Sequence, residues 1–363
     1  MKIAIDVSQI IYGTGVSMYT QNLVRGLLSY DKENTYILFG GSLRRFNELK
    51  SKIDLISEER SDNVIKKTFP YPPFLADLIW NRLRIYPNLE SLIGEVDVFH
   101  SSDWVQPPSR AFKVTTVHDL IPILFPKLSH PKLVDVHKRR LEIIKKEVDR
   151  IIVPSLTTKD DLLRLGFNVN KIRVISEAPD ISFKPQKKEE IIKLKRKYKI
   201  SGKYLLAIGV TPRKNIERIV DAFEKIKAEY DLKLVVIGKR FSDVEDRRGV
   251  FYLGHVPDAD VPKLYAGSEA LVYPSLYEGF GLPILEAFAS RTPVVTSNFG
   301  CMKEVAGKAA VLVDPDNINS IVDGIKNALS NKKLLIYLGR RRVKDYSWQN
   351  TVIETLKIYE EAK

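Results

Sequence analysis

The chain has 363 residues, of which 44% are hydrophobic and 28% charged. This composition excludes a disordered chain, a collagen-like fibre and a small disulfide scaffold, and at ~150 residues per domain the length predicts two domains. Lys and Arg number 58 against 45 Asp and Glu, a net charge of +13. That surplus favours phosphate-bearing partners without choosing among nucleic acid, an anionic lipid surface and phosphorylated substrates.

Several features of the sequence predict a cytoplasmic location. No uncharged apolar run reaches the ~18 residues of a membrane span, and Asp6 comes too early for the core of a signal peptide. The single cysteine, Cys301, excludes an intrachain disulfide and fits a reducing compartment. We therefore expect a cytoplasmic protein. Peripheral contact with the inner face of the cell membrane is compatible with these features.

Short apolar runs rich in β-branched residues recur along the chain, and each predicts a strand. In the first half they are Lys2–Val7, Tyr36–Phe39, Val96–His100, Val114–His118, Arg150–Pro154 and Arg173–Ile175. In the second half they are Tyr204–Val210, Lys233–Gly238, Val250–Leu253, Ala270–Tyr273, Pro293–Thr296 and Ala310–Val313. Because these runs are apolar on both faces and alternate with amphipathic stretches, they predict parallel sheets covered by helices, an α/β fold.

Helical spacing of apolar residues predicts the intervening elements. One stripe, from Leu23 to Leu28, follows a cap expected at Ser17, and others run from Ile216 to Ile226 and through 348–362. The basic run 186–200 also has helical spacing and is interpreted as a solvated helix. Between Arg44 and Lys67 the periodicity is weak, and no strand candidate lies there.

A glycine-containing turn follows the first predicted strand. Gly13 and Gly15 precede the helix expected from Ser17, where glycines allow a close approach to a ligand and a helix N-terminus offers N–H groups to an anion. A plain tight turn explains the same residues equally well. The third glycine of the dinucleotide fingerprint is missing, which disfavours NAD binding.

His118 and Asp119 lie at the end of another predicted strand. Ligands of open α/β sheets bind beyond the carboxyl ends of the strands, so this titratable pair is a candidate for substrate contact. A loop histidine with satisfied hydrogen bonds is an equally good interpretation of the residues alone. His100, at the end of a different strand, is a weaker candidate.

Two adjacent cations, Arg213 and Lys214, follow the strand that ends near Gly209 and precede the Ile216 helix. Cations at a helix start oppose the helix dipole, which favours anions there. Solvated surface charge is the alternative, but we favour a phosphate group bound between these cations and the helix N-terminus.

The segment 274–287, PSLYEGFGLPILEA, joins a predicted strand to a helix in which Pro283 suits the first turn. Gly279 and Gly281 free the backbone to present N–H groups to a hydroxylated ligand. Glu278 stays on the loop, and Glu286 is expected within the first helical turn. An acid there can act simply as a partner of the helix dipole, but that interpretation explains neither Glu278 nor the two glycines.

No metal site is expected. Asp258 and Asp260 are better interpreted as a helix cap, and Asp314 and Asp316 as a turn, since neither pair clusters with histidine at ligand spacing. Cys301 has no partner for redox or nucleophilic chemistry and is interpreted as a packed small residue. We expect no cofactor either.

With these motifs in hand, the chain resembles the retaining, nucleotide-sugar-dependent glycosyltransferases of family 4. Their GT-B fold has two Rossmann-like domains with a cleft between them and a C-terminal helix that crosses back to the first domain. The resemblance is strongest from Gly254 to Pro315, where Glu278 and Glu286 form the family's Glu-x7-Glu pair. Weaker matches occur at 13–19, 118–120, 149–155, 212–215 and 346–348.

The resemblance implies two domains. The prolines of the segment 177–185 mark the boundary between them. Residues 1–178 are expected to bind the acceptor and to be completed by 347–363, whereas 179–346 are expected to bind the nucleotide sugar. That donor is a substrate rather than a cofactor.

The resemblance also implies roles for single residues. Glu286 is expected at the donor ribose, Arg213 and Lys214 at the pyrophosphate, and Gly15 near it. Glu278 and the backbone N–H groups of Phe280, Gly281 and Leu282 are expected at the donor sugar, with His118 beside that sugar at the reacting face. Val210 stands where many members of the family have an arginine.

The implied reaction moves a hexose from a donor of the GDP-mannose or UDP-glucose type to a glycan or lipid-linked acceptor, without a metal. Partners would be the nucleotide sugar, the acceptor and an anionic membrane that carries it, with no nucleic acid. Two alternatives remain open. One is a sugar-nucleotide epimerase of the same fold, and the other is a non-enzymatic polyanion-binding protein motivated only by the net charge.

Overall fold

The computed structural model describes residues 1–58, 62–238 and 247–363. These residues form two compact units, each built around its own sheet. Unit 1 comprises Met1–Glu177 and Trp348–Lys363, and unit 2 comprises Ala178–Ser347.

Unit 1 contains, within its described residues, a seven-stranded sheet in the order β3-β2-β1-β4-β5-β6-β7. Every neighbouring pair is parallel. Strands with buried side chains on both faces, such as β1 and β4, explain why the sequence shows continuous apolar runs. The strands are β1 (Lys2–Asp6), β2 (Thr35–Gly41), β3 (Val64–Phe69), β4 (Val98–Ser101), β5 (Phe112–Thr116), β6 (Arg150–Val153) and β7 (Ile172–Val174).

Helices connect these strands and cover the sheet. The longest two are amphipathic and bury their apolar faces. A short π-helical segment, Asp77–Leu83, continues from α3. The helices of this part of the chain are α1 (Gly15–Tyr30), α2 (Phe46–Ile56), α3 (Pro73–Ala76), α4 (Leu89–Ile93), α5 (Ile121–Leu124), α6 (Pro131–Glu147) and α7 (Leu156–Arg164).

Unit 2 repeats this plan with a parallel sheet that has six strands in the described residues, ordered β10-β9-β8-β11-β12-β13. The strands are β8 (Lys203–Ile208), β9 (Leu232–Ile237), β10 (Val250–Gly254), β11 (Ala270–Tyr273), β12 (Val294–Ser297) and β13 (Val311–Val313). The helices are α8 (Lys188–Lys197), α9 (Ile216–Tyr230), α10 (Val261–Ala266), α11 (Leu282–Ala289), α12 (Gly300–Ala306), α13 (Ile318–Ser330) and α14 (Lys332–Arg342).

The last helix, α15 (Trp348–Glu360), belongs to unit 1 although it follows unit 2 in the chain. It buries Val352, Ile358 and Tyr359 in the unit 1 core, and it packs against α1. A Cβ atom placed on Gly26 of α1 would lie 2.6 Å from Cγ2 of Val352. The absence of a side chain at Gly26 therefore lets the two helices approach closely.

The strand pattern predicted from sequence is present, with one addition. Each of the twelve candidates corresponds to a strand of the structure, shifted by a few residues at most. The added strand is β3, which lies at a sheet edge and exposes Lys66 and Lys67. An edge strand that carries charge lacks an apolar pattern on both faces, so the weak periodicity between Arg44 and Lys67 concealed it. Residues 59–61 of that stretch lie outside the described residues.

The cap of the first long helix is also different from the predicted one. Thr14, rather than Ser17, is the N-cap of α1, and its hydroxyl accepts from the backbone N–H of Ser17. Ser17 lies inside the first turn and bonds back to the N–H of Thr14, the reciprocal arrangement of a capping box. The helix therefore begins at Gly15.

The packing of α15 on α1 can be tested at Gly26. Gly26→Val should lower the free energy of unfolding of unit 1 by about 2 kcal/mol, because the added methyl groups overlap Val352 in a filled core. Arg25→Val, on the exposed side of the same turn, is the matched control for the helix propensity of valine. Urea unfolding provides the measurement, and Val352→Ala should restore part of the loss in the double variant. Equal stability of the two single variants would contradict this packing.

Candidate active site

A short turn after β8 holds the two candidate cations in unit 2. Pro212–Lys214 form one 3-10 turn, and Asn215, with a left-handed φ of 61°, separates it from α9. The buried amide of Asn215 donates to the carbonyls of Pro274 and Pro315. Gly209 has a φ of 87°, and a Cβ there would lie 2.7 Å from Cγ of Lys214. A glycine at this position therefore lets the lysine stem pack across the end of the strand.

Glu278 bridges both cations. Its carboxylate lies 2.5 Å from Nη1 of Arg213 and 2.7 Å from Nζ of Lys214. Lys214 also donates to the hydroxyl of Tyr273 at 2.6 Å, and its Nζ lies 4.6 Å from the centre of that ring. Arg213 donates to the carbonyl of Tyr277. The carboxylate of Glu278, on the loop that follows β11, thus offsets the unfavourable interaction of these two cations with the dipole of α9.

The three charges are largely removed from solvent, with exposed side-chain fractions of 15% for Arg213, 16% for Lys214 and 10% for Glu278. Burial alone would raise the pKa of Glu278, but Lys214 and Arg213 outweigh it and hold that pKa below its usual value. Burial lowers the pKa of Lys214, and Glu278 offsets this only in part. Isolated buried charges are costly, so each member of the cluster depends on the others.

The loop that carries Glu278 leads directly into α11. Gly281 precedes the helix with a φ of 101°, a conformation that favours glycine. Leu282 is the first helical residue, followed by Pro283 as predicted, and Phe280 is buried against Tyr346. The first N–H groups of a helix have no carbonyl partner within it. The start of α11, four residues after Glu278, therefore offers backbone donors to a ligand.

Cys301 supports the same loop from below, because its thiol donates to the carbonyl of Glu278 at 3.1 Å. The side chain is buried, which raises the pKa of the thiol well above its usual value. It packs as a small residue in the unit 2 core.

Glu286 lies outside the first turn of α11, contrary to the sequence-based expectation, because the helix begins at Leu282 and Glu286 is its fifth residue. A role as partner of the helix dipole therefore does not account for it. The hydroxyl of Tyr265 donates to its carboxylate at 2.6 Å. Burial, reinforced by Asp180, raises the pKa of Glu286 to about 7, although the Tyr265 hydrogen bond and the charge of Lys214 act in the opposite direction.

In unit 1 the turn after β1 leaves space over both predicted glycines. Gly13 has a φ of 65°, and, apart from the adjoining residues of the chain, no heavy atom lies within 4 Å of a Cβ built on Gly13 or on Gly15. Gly15 is the first residue of α1, with Thr14 as its cap. A ligand backbone or phosphate can approach the start of α1 here.

His118 follows β5 and lies against Glu177, the last residue of the first segment of unit 1. Its Nδ1 is 3.1 Å from Oε1 of Glu177, and its ring packs edge-on to Tyr19 with centroids 4.6 Å apart. Burial opposes the charged imidazole, but Glu177, Asp103 and Asp119 outweigh it and raise the pKa of His118. Sequence reasoning missed Glu177 as a partner, because 59 positions separate the two residues.

The other candidate residues, His100 and Asp260, make hydrogen bonds that hold the fold together. His100 is buried between Tyr359 and Thr116, with both ring nitrogens hydrogen-bonded, and burial lowers its pKa to about 3. Asp260 precedes α10 but does not cap it with its side chain. Its carboxylate accepts from Lys197 and Tyr198 instead. No group of three or more potential metal-binding His, Cys, Asp or Glu side chains occurs in the described part of the chain.

Comparison with known proteins decides the family. The model of Glycosyltransferase Family 4 matches residues 13–183, and that of Glycosyl transferases group 1 matches residues 187–344. The O-antigen chain mannosyltransferase B of Escherichia coli is 31% identical over 282 residues, which cover 72% of this chain and 74% of that protein. The chain belongs to the family 4 glycosyltransferases. The family of this glycosyltransferase was predicted from its sequence motifs, and that prediction is confirmed.

Solved structures confirm the predicted GT-B fold of the glycosyltransferase. Sucrose-phosphate synthase from Thermosynechococcus elongatus superposes with a TM-score of 0.72 at 17% identity and covers 99% of this chain and 98% of its own. The Anabaena protein HepE, solved in complex with UDP-glucose, superposes with a TM-score of 0.71 at 16% identity, covering 98% and 99%. The epimerase alternative is not favoured by these relatives.

The raised pKa of Glu286 predicts a pH-dependent stability of the glycosyltransferase. Because the folded carboxyl titrates near 7 rather than at its ordinary 4.5, its proton stabilises the fold at acid pH. That contribution is lost as the pH rises through about 7. Glu286→Gln, which mimics the protonated group, should therefore gain about 2 kcal/mol of stability relative to wild type between pH 5 and pH 8.

Urea unfolding at the two pH values measures the gain. Glu217→Gln, at an exposed position of α9, is the matched control and should show no such difference. A Glu286→Gln advantage that is independent of pH would refute the raised pKa.

Proposed function

We propose that this glycosyltransferase transfers a hexose, with retention of anomeric configuration, from a nucleotide-diphosphate sugar of the GDP-mannose or UDP-glucose type. The acceptor would be a glycan or a lipid-linked saccharide. The buried cluster of Arg213, Lys214 and Glu278 carries this proposal, because it combines two cations for a diphosphate with a carboxylate for sugar hydroxyls. The mannosyltransferase relative and the UDP-glucose complex of HepE support the donor class.

The cations of the cluster are the proposed diphosphate site in unit 2. A diphosphate would compete with Glu278 for Arg213 and Lys214, and two phosphate groups carry more negative charge than one carboxylate. Charge-assisted bonds from a guanidinium and an ammonium are strong in a site shielded from water. As the diphosphate leaves, its charge grows, and fixed cations stabilise that change without reorganisation.

The acids of the Glu-x7-Glu pair have separate proposed roles. Glu278, once its cations bind phosphate, can accept from hydroxyls of the donor sugar, together with donation from the N–H groups of Phe280, Gly281 and Leu282. Glu286, one turn further along α11, can accept from the ribose hydroxyls. Because burial raises its pKa to about 7, the carboxylate that accepts these hydrogen bonds is fully ionised only above neutral pH.

Unit 1 supplies the proposed acceptor side. His118, whose pKa is raised by Glu177, can interact with the donor sugar or the acceptor, and Gly15 leaves room for a phosphate near the start of α1. Retention can follow from front-face attack, in which the leaving phosphate takes the acceptor proton, or from double displacement by a carboxylate.

Transfer itself is the primary test of the proposed function. Incubation with GDP-mannose or UDP-glucose and mannose oligosaccharides should yield an extended saccharide whose new anomeric centre, determined by NMR, has the configuration of the donor. An inverted product would remove the retaining mechanism, and absence of transfer from either donor would remove the donor class.

Substitution of each of the two glutamates should affect either nucleotide binding or turnover, but not both equally. Glu286→Ala should weaken binding of the free diphosphate, because its ribose contact exists with or without the sugar. Glu278→Ala should leave that affinity intact or raise it, because the substitution frees two cations. Turnover should nevertheless fall on the order of a hundredfold, the effect of ~3 kcal/mol of lost transition-state stabilisation.

Calorimetry with GDP and UDP, together with transfer rates, measures both effects. Glu217→Ala serves as the exposed control, and Glu278→Gln keeps the volume of the buried side chain should the alanine variant unfold. Equal loss of diphosphate affinity in both variants, or full activity without the Glu278 carboxylate, would overturn this division of roles.

Transfer is expected to continue in excess chelator. Arg213, Lys214 and the N–H groups at the start of α11 supply the positive field that a divalent ion provides elsewhere. Activity lost on addition of EDTA and restored by Mn²⁺ or Mg²⁺ would contradict this expectation and return attention to Asp258 and Asp260.

We also propose peripheral contact of unit 1 with an anionic membrane. In the described residues no helix is both long and apolar enough to cross a bilayer. Large apolar side chains are nevertheless exposed in two segments that both contact α6, namely 74–86 and 124–128. They include Phe74, 71% exposed, and Tyr86, 77% exposed. Lys127, within the second segment, and Lys132, on α6, are also exposed, and a combination of apolar and basic side chains suits an anionic interface.

Sedimentation with vesicles tests this contact. Phe74→Ser combined with Tyr86→Ser should lower binding to vesicles of phosphatidylglycerol and phosphatidylcholine about tenfold, the effect of ~1.4 kcal/mol of lost burial. Leu334→Ser with Tyr337→Ser, which removes comparably exposed side chains of unit 2, should leave binding unchanged. Equal binding by both double variants would refute this surface.

A further inference from the structure

Two large aromatic side chains are partly exposed at the carboxyl edge of the unit 1 sheet. Tyr12 follows β1 and is 41% exposed, and Trp104 follows β4 and is 37% exposed. Their ring centres lie 6.4 Å apart at an interplanar angle of 50°. Trp80, by contrast, is buried. Aromatic side chains of this size usually bury their faces, so this pair forms an accessible apolar wall at the edge where ligands of such sheets bind.

The wall is held in place by buried polar contacts. Gln9, 6% exposed, donates to Thr20 at 2.7 Å and accepts from the backbone N–H of Asp103 at 3.0 Å. One side chain therefore ties the turn of Tyr12 to the turn of Trp104. The ring of His137, on α6, lies 5.8 Å from Trp104 and extends the wall. Preorganised groups of this kind lose little entropy when they bind a ligand.

Charged groups surround the aromatic wall. Asp103 lies next to Trp104, and its carboxylate, 17% exposed, accepts from Nη1 of Arg140 at 3.2 Å. Arg140 is fully buried and also donates to Thr115 and the carbonyl of Thr116. On the other side the Arg45 guanidinium lies 5.9 Å from the Tyr12 ring centre. A purely apolar ligand such as an acyl chain would cover these charged groups without offering them a hydrogen bond, which is unfavourable.

The combination fits a saccharide. One face of a pyranose ring presents C–H groups that pack on aromatic rings, whereas its hydroxyl groups point outward to polar side chains. The wall also adjoins the residues assigned above to the acceptor side. Tyr12 immediately precedes Gly13, and Ser17 of α1 donates to the carbonyl of Gln9 at 2.6 Å.

We propose that Tyr12, Trp104 and His137 form a saccharide subsite, in which a sugar of the acceptor stacks on the rings and bonds through its hydroxyls to Asp103. This inference rests on the proposed function, since it names the groups that would hold the acceptor. The rings select for a sugar with an accessible C–H face, so the subsite determines acceptor preference rather than the chemistry of transfer.

Acceptor kinetics test the subsite directly. With GDP-mannose or UDP-glucose as donor and α-linked mannobiose as acceptor, Trp104→Ala should lower kcat/KM for the acceptor about thirtyfold through KM. Trp104→Phe should retain most of the activity. Affinity for GDP and UDP should be the same in all variants. Tyr30→Ala, which removes a 51%-exposed ring elsewhere on unit 1, is the matched control and should leave KM unchanged.

Fluorescence gives a second readout that does not depend on transfer. Addition of methyl α-mannoside or mannobiose should change the tryptophan emission of the wild type, and Trp104→Phe should abolish that change. If the wild type neither binds a nucleoside diphosphate nor transfers a sugar, the proposed function fails. If it does both while Trp104→Ala keeps a wild-type acceptor KM, or if emission responds to decanol and not to saccharides, the subsite is refuted.

Discussion

The arrangement of unit 2 depends on the compensation of one buried carboxylate by two buried cations. Glu278 can leave water only because Arg213 and Lys214 lie within 2.5 and 2.7 Å of it, and the cations in turn depend on the carboxylate. The backbone is shaped to permit this contact. Gly209 leaves space for the lysine stem, and Asn215 in the left-handed region turns the chain from the cations into α9. Binding of a diphosphate would exchange one anion for another at the same cations, so ligand binding and the cohesion of unit 2 are linked.

Both units place their polar groups by the same rule of parallel sheets. Strands that are buried on both faces must keep their polar neighbours at the ends, and connections at the carboxyl edge converge there. In unit 2 this edge gathers Glu278 and Lys214. In unit 1 it gathers His118 and Glu177, with the aromatic wall of Tyr12 and Trp104 on neighbouring connections. A repeated architecture thereby holds a buried charge cluster in one unit and an aromatic wall in the other, the groups proposed above to bind a phosphate and a sugar ring.

The net charge of +13 does not itself explain the site. Arg213 and Lys214 act through burial and geometry, whereas cations such as Lys127 and Lys132 are exposed and influence partners only through screened, longer-range fields. The proposed diphosphate site agrees with this distinction, because a diphosphate needs a few fixed cations rather than a positive surface. The surface charge belongs instead with the proposed contact with an anionic membrane.

The sequence by itself determined the α/β class, twelve of the strand positions, the family and the residues of the Glu-x7-Glu pair, because apolar periodicity and local motifs are written in neighbouring residues. It could not determine the strand β3, whose exposed lysines break the apolar pattern, nor the cap of α1, which depends on where the helix begins. Only the tertiary structure decided that Glu278 pairs with both cations, that Tyr265 bonds to Glu286 and that Glu177 meets His118. These partners are separated by 21 to 65 positions in the chain, and no local pattern encodes which residues the folding of a sheet brings to one edge.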